Sequence, residues 1–368
     1  MSKIFHLITS IHLGGSEMVA FDLAENSNYN HTLLELFKTS NEYAHAKKEE
    51  LNSKNIRFIT LYKGSKRMSL LFAPFKLIYY IRKEKPSIIH SHTDLPDFVL
   101  GLVIHISRFL KLKMPKIIRT IHSTQLWRNH YWMGRITESA YKDDGIISVS
   151  YHSMVAYENL REKYGLLVSK YKQVINNGRK IPERLAYPFQ LDKDKINIAF
   201  CGRFEDYKGM EILIPTVSEV ERLYPGRFTF HVIGSGTYSK QLEQLSREQS
   251  HMFLYDPIPN VATTFHAFDY LFFPSHFEGL ALTSIEASFS GLPVIASFAP
   301  GLEETLPEKW PLKFHLNNDK ELYDIFDKIN SNSLDKEAIK KMAYDFVNKR
   351  FSLEKMINSY NEFYTEML

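Results

Sequence analysis

Short apolar runs alternate with longer amphipathic stretches along this chain, and the alternation runs twice. KIFHLITSI, RFITLY, SIIHSH, KIIRTIHS and GIISVS read as strands, with KQVINNG a shorter one. Between them lie helix-length stretches such as SEMVAFDLAEN and FKLIYYIRKEK. INIAFCGR, FTFHVIGSG, HMFLYD, DYLFFPS and PVIASF form a second set of strands, separated by the helical GMEILIPTVSEVERLY, YSKQLEQLSREQ and SIEASFS. Strands joined through helices cross over to parallel neighbours, so the pattern predicts two α/β domains, each with a parallel sheet covered on both faces. The join falls near residues 180–194, a polar, proline-containing segment without clear period, which reads as a linker. The expected domains are residues 1–180 and 181–350. A length of 368 residues agrees, since single cores stop growing well before that size.

Composition narrows the class. The single cysteine, Cys201, excludes a disulfide framework within the chain and suits a reducing compartment. MSKIFHLITSI lacks a signal peptide's long apolar region and reads as a first strand. The longest apolar stretch, LLFAPFKLIYYI at residues 70–81, is interrupted by Pro74 and Lys76 and falls short of the ~18 residues of a spanning helix. Charge is unevenly shared: residues 1–184 carry 28 Lys+Arg against 16 Asp+Glu, and residues 185–368 carry 18 against 26. A basic first half points to an anionic partner there.

In open parallel sheets ligands sit beyond the carboxyl ends of the strands, so the loops after each strand matter most. In the second half, DYLFFPS is followed by HFEGLALT, and Gly279 permits a tight turn into a helix that Gly291 and Pro293 stop. The first amides of that helix, after Gly279, Leu280, Ala281, Leu282 and Thr283, lack intrahelical acceptors and carry the positive end of the helix dipole. They suit a phosphate. Glu278 and Glu286 are acceptors only and suit the hydroxyls of a sugar or ribose, although an ordinary surface turn is equally compatible with them. GRFEDYKG places Arg203 and Lys208 after another strand, and residues 251–300 contain no cation of their own. The guanidinium fork and the ammonium would complement the helix end at a diphosphate.

Taken together, EGLALTSIEASFSGLPVIAS with its Glu-x7-Glu spacing, GRFEDYKG, the early HLGG, and SVSYHSMVAYENL followed by VINNG resemble the family 4 retaining glycosyltransferases of GT-B fold. The resemblance spans nearly the whole chain in order. It implies two facing Rossmann-like domains with a central cleft, the first binding acceptor and the second a nucleotide-diphosphate sugar. A closing helix, residues 351–368, would cross back to the first domain. By the same resemblance Glu278 touches the transferred sugar, Glu286 the ribose, and Arg203 and Lys208 the diphosphate. Gly14 and Gly15 let the first loop approach the donor, and His122 matches a family histidine beside the donor sugar. His92, at another strand end, is a candidate for the acceptor. Two departures stand out. Ala281 replaces the second glycine of the family's loop, and Arg179 follows Asn177-Gly178 where an aspartate is common.

Two cations and a helix end stabilise a leaving diphosphate without a metal, so neither metal nor cofactor is expected. His90 and His92 have metal-ligand spacing on one strand face, but no third ligand is evident. Asp192-Lys-Asp194 resembles a metal-binding pair but precedes a strand, and the glycines at 234 and 236 are an imperfect dinucleotide fingerprint. The basic stretches 61–85 and 105–116 mix cations with apolar residues. They read either as a peripheral contact with an anionic membrane or as core helices with charged backs. No nucleic-acid module is visible. The expected protein is a cytoplasmic enzyme, at the inner face of the plasma membrane, acting on a glycan or lipid-linked saccharide in surface polysaccharide or glycolipid synthesis. A sugar-nucleotide epimerase on the same scaffold and a non-catalytic nucleotide- or carbohydrate-binding protein are the alternatives.

Overall fold

The computed structural model describes residues 2–12, 14–128, 130–142 and 144–368. The chain divides into two compact units, Met1–Gly178 with Leu353–Leu368, and Arg179–Ser352. Each is a parallel sheet flanked by helices.

The sheet of the first unit contains β1 (Lys3–Ile8), β2 (Asn30–Phe37), β3 (Arg57–Tyr62), β4 (Ile88–His92), β5 (Lys116–Ile121), β6 (Gly145–Ser148) and β7 (Lys172–Val174). Their order is β3-β2-β1-β4-β5-β6-β7, all parallel. β2 is a strand absent from the sequence-based reading. Its Leu-Leu-Glu-Leu run favours a helix by propensity, yet Leu33, Leu34 and Leu36 are buried in the sheet. Glu35 is buried with them and accepts from Thr60 Oγ1 at 2.6 Å and Lys48 Nζ at 3.0 Å.

One face of this sheet is closed by the last helix, Leu353–Met367. Met356, Ile357, Tyr360, Phe363 and Tyr364 pack on Ile4, Ile88, Ile118 and Ile147. Tyr364 Oη lies 2.7 Å from His90 Nδ1, and Tyr360 Oη lies 3.3 Å from Thr120 Oγ1. The opposite face holds a buried ion cluster. Arg119, fully buried on β5, donates to Glu138 at 2.9 and 3.1 Å and to Asp144 at 2.8 Å, with Asp97 at 3.5 Å. Arg161 adds a second cation on Glu138 at 3.2 Å. The guanidinium stacks on Tyr141, 3.9 Å from its ring centre.

The Lys66–Glu84 helix starts well before the expected FKLIYYIRKEK stretch and includes Pro74. Pro74 is buried, and the stripe Ser69, Ala73, Leu77 and Ile81 docks on the sheet, so packing outweighs the lost backbone bond. The outward face of the same helix is also apolar: Met68, Leu71, Phe72, Phe75 and Tyr79 are exposed. Tyr62, Phe72, Phe75, Lys76 and Tyr79 line an open groove of about 450 Å³. Phe109 and Leu110 are exposed beside Arg108 and Lys111 at the end of the Asp94–Phe109 helix. Among the described residues no helix is long and apolar enough to cross a membrane.

The second unit contains β8 (Ile196–Phe204), β9 (Phe228–Gly236), β10 (Met252–Tyr255), β11 (Tyr270–Phe273), β12 (Val294–Ser297) and β13 (Lys313–Phe314), ordered β10-β9-β8-β11-β12-β13 and parallel. Its core is aliphatic and aromatic, with Phe200, Phe230, Phe272 and Phe326 among its members. The segment expected as a linker packs on this unit. Phe189 lies 4.7 Å from the Phe268 ring and 5.1 Å from Tyr255, and Leu185 N donates to Thr263 O.

Candidate active site

The carboxyl ends of β8 and β11 lead into the loops that carry Arg203, Lys208 and Glu278. Arg203 is exposed near the end of β8. A short 3-10 turn, Asp206–Lys208, comes next, and the chain enters the Met210–Leu223 helix through Gly209. Gly209 has φ 73°, and a Cβ there would collide with the carbonyl oxygen of Pro274. Only glycine accepts both the positive φ and this close backbone approach.

The approach joins the two loops. Lys208 Nζ donates to Glu278 Oε1 at 2.6 Å, and Ser275 Oγ donates to the same oxygen at 2.8 Å. The His276 amide donates to the Tyr207 carbonyl at 2.8 Å. The Tyr207 ring centre is 5.4 Å from the Arg203 guanidinium carbon and 5.5 Å from Lys208 Nζ, so one aromatic ring serves both cations.

Beyond Glu278 the loop is strapped to residues 300–301. Glu278 N donates to Pro300 O at 2.8 Å and Ala281 N to Gly301 O at 3.1 Å. Gly301 has φ 75°, and a Cβ there would strike the Glu278 carbonyl. Ala281 itself sits at φ −73° and caps a helix, Leu282–Phe289, that begins two residues before the expected SIEASFS stretch. The missing second glycine therefore costs nothing at Ala281; the close contact is made at Gly301. Leu280 and Ala281 are buried, while Leu282 and Thr283 are half-buried at the helix's amino end.

Glu286 lies one turn further on. Arg179 Nε donates to Glu286 Oε1 at 2.9 Å. Burial pushes the Glu286 carboxyl up, and the Arg179 guanidinium opposes that shift. The arginine that departs from the family pattern after Asn177-Gly178 thus has a specific partner. Arg203, Lys208, Glu278 and the Gly279–Thr283 turn are brought together. Tyr207, Gly209, Ser275, Gly301 and Arg179 complete the arrangement and were not singled out from the sequence as site residues. Arg179 carried a signal there, as a charge reversal at a patterned position. Chemically, the rim offers an ammonium and a guanidinium to phosphate oxygens, and a carboxylate to hydroxyls.

In the first unit, Gly14 is extended at φ −140° and precedes the Gly15–Asn26 helix. The side chains of Glu17 and His12 occupy the space a Gly14 Cβ would take. Leu13, in the same loop, lies outside the described residues. His122 comes just after β5 and is half-buried, and burial lowers its pKa to about 3, so it is neutral. His92 differs from expectation. It is fully buried, with its nitrogens 3.0 Å from His6 and 3.3 Å from His122, so in this arrangement it presents no surface to an acceptor. The third partner missing beside His90 and His92 is His6, on the neighbouring strand β1 but far away in sequence; ring nitrogens of all three lie within 4.8 Å of one another. Asp192 closes a turn by accepting from the Asp194 amide at 3.0 Å, and Gly234 and Gly236 lie within β9, not in a loop.

The two-sheet architecture is that of the GT-B fold, and the family models that match most of the chain make it a glycosyltransferase. A family model of glycosyl transferases group 1 matches residues 195–329, and one of glycosyltransferase family 4 matches residues 13–181. Among individual proteins, an uncharacterized 41.2 kDa protein of the cps region of Klebsiella pneumoniae is 25% identical, over 98% of this chain and 99% of its own. The O-antigen biosynthesis glycosyltransferase WclY of Escherichia coli is 24% identical, over 76% of this chain and 79% of its own. The crystal structure of Anabaena HepE in complex with UDP-glucose superposes with a TM-score of 0.78 at 18% identity, covering 100% of both chains.

Proposed function

We propose that this chain is a retaining, metal-independent glycosyltransferase of the family 4 type. It moves a sugar from a nucleotide-diphosphate sugar to a glycan or lipid-linked saccharide during surface polysaccharide synthesis. The observation that carries the reading is the joined pair Lys208–Glu278, with Arg203 against the same Tyr207 ring, beside the amino end of the Leu282–Phe289 helix. Arg203, Lys208 and the helix amides hold the diphosphate and take up the charge that develops on its leaving oxygen. Glu278 binds hydroxyls of the transferred sugar, Glu286 the ribose, and His122 lies beside the sugar. The acceptor oxygen bonds to the anomeric carbon on the face the diphosphate leaves. The departing phosphate oxygen takes the acceptor's proton.

The acceptor side is basic and apolar. The outer face of the Lys66–Glu84 helix, with Phe72, Phe75 and Tyr79 exposed among Lys66, Arg67, Lys76 and Lys83, lies on an anionic membrane surface. That would place the enzyme at the cytoplasmic face of the membrane, where a lipid-linked acceptor is presented. The two relatives with cps and O-antigen names support this direction.

Incubating the purified chain with a panel of nucleotide-sugars, uridine donors first, with and without a membrane extract of lipid-linked saccharides, tests the reading. The expected result is acceptor-dependent release of nucleoside diphosphate, unaffected by chelator, with the anomeric configuration kept. Conversion of donor alone would indicate an epimerase, and binding without turnover across the panel a non-catalytic protein.

A further inference from the structure

The sheet face beneath the last helix carries a row of histidines that the donor rim does not use. His31 on β2, His6 on β1, His92 on β4 and His122 just past β5 stand on four adjacent strands. His31 Nδ1 lies 2.8 Å from His6 Nε2, His6 Nδ1 lies 3.0 Å from His92 Nε2, and His92 Nδ1 lies 3.3 Å from His122 Nε2. Strand register makes the row. His6 pairs with Leu33, two residues past His31; His90, two before His92, pairs with His6; Thr120, two before His122, pairs with His92. Each step moves one pleat along and one strand across, so every ring stays on the same face. His90 stands outside the row, engaged by Tyr364 and Thr120 at 2.7 Å each. The nitrogens of the His6, His90 and His92 cluster are thus already committed to hydrogen bonds.

Burial holds these imidazoles neutral: His6 and His92 are lowered well below the usual value, His31 to about 4 and His122 to about 3. A neutral imidazole has one N–H and one bare nitrogen. Each link needs one of each, so the row's tautomers are locked together and only two arrangements exist. In one, His31 carries its proton on Nε2 and His122 ends in a bare Nδ1. In the other, His31 Nε2 is bare and His122 Nδ1 bears the hydrogen. Among the described residues His31 Nε2 is buried without a partner, on a residue only 6% exposed. An orphaned buried N–H is the costlier defect, which favours the second arrangement.

We propose that His31, His6 and His92 are positioning residues that hold His122 as the Nδ1–H tautomer, so that it offers a hydrogen-bond donor to a hydroxyl of the bound sugar. The donor role rests on the reading of His122 given above; the tautomer does not.

Two-bond ¹⁵N–¹H correlation spectra of the full chain, labelled at histidine and recorded without substrate near pH 7.5, read the tautomers directly. His122 is expected protonated at Nδ1. In His31→Asp the introduced carboxylate can only accept, so it reverses every link and His122 becomes Nε2–H, three links away. His31→Asn, whose amide can still donate, keeps the wild-type tautomer. A wild-type His122 protonated at Nε2, or an unchanged His122 in folded His31→Asp, overturns the row. Should His31→Asp fail to fold, the wild-type spectrum decides alone. With a donor and acceptor in hand, kcat/KM falls about tenfold in His31→Asp, the size of one lost hydrogen bond. A reversed tautomer with unchanged kcat/KM would overturn the donor role of His122 while leaving the row in place.

Discussion

The two units share a parallel-sheet plan and fill it in opposite ways. Among the described residues, every buried Asp, Glu, Lys or Arg belongs to the first unit: Glu17, Glu35, Lys47, Asp97, Arg119, Glu138, Asp144 and Arg161. In the second unit no described Asp, Glu, Lys or Arg is as fully enclosed: the Arg179–Glu286 and Lys208–Glu278 pairs are partly covered and Arg203 is exposed, with Arg203, Lys208 and Glu278 at the strand ends. An interior charge is tolerated when its partners are built in, as Arg119 is by three carboxylates. A rim charge keeps one side towards solvent, even where it is paired, as Lys208 is with Glu278. One fold therefore accommodates a polar interior or a polar edge, and the proposed function draws on the edge.

The largest effect should come from breaking the polar interior. Arg119→Met leaves Glu138, Asp144 and Asp97 facing one another around an uncharged side chain. It should cost about 3–5 kcal/mol of stability, read as a shifted urea midpoint. A loss below about 1 kcal/mol would mean that water reaches the cluster.

At the rim the order of effects reverses. Lys208→Ala and Arg203→Ala should each raise the barrier by about 2–4 kcal/mol while moving the unfolding midpoint little. Near-normal turnover in both would remove the diphosphate clamp. The smallest effect belongs to the outer surface of the first unit. Phe75→Ser deletes one exposed ring of the Lys66–Glu84 helix. It should weaken binding to anionic vesicles by about ten- to a hundredfold, in line with the ~1.5–3 kcal/mol of burying such a side chain. Equal binding of wild type to neutral and anionic vesicles at low salt would end the membrane reading.

Much of this was legible in the sequence because it depended on local pattern. Strand-helix alternation predicts both sheets, and Arg203, Lys208 and Glu278 stand out once attention goes to the loop at the carboxyl end of each strand. The features that escaped depend on distant partners. β2 was hidden because Glu35 and His31 look like surface residues until Lys48, Thr60 and His6 are placed beside them. His92 looked like a cleft residue because register alone brings His6 to it, 86 positions away in the chain. Gly301 carried no signal of its own, since its role is set by the backbone of Glu278 passing over it.

The last helix has a consequence for how the protein is made. Tyr360 and Tyr364 cover a sheet whose strands are all synthesised before residue 175. On the ribosome, the first-made unit must wait with one apolar face uncovered while the second, complete by Ser352, can already have closed. The part that begins folding first is thus the part that finishes last, and during that interval it is the half of the nascent chain most in need of a chaperone.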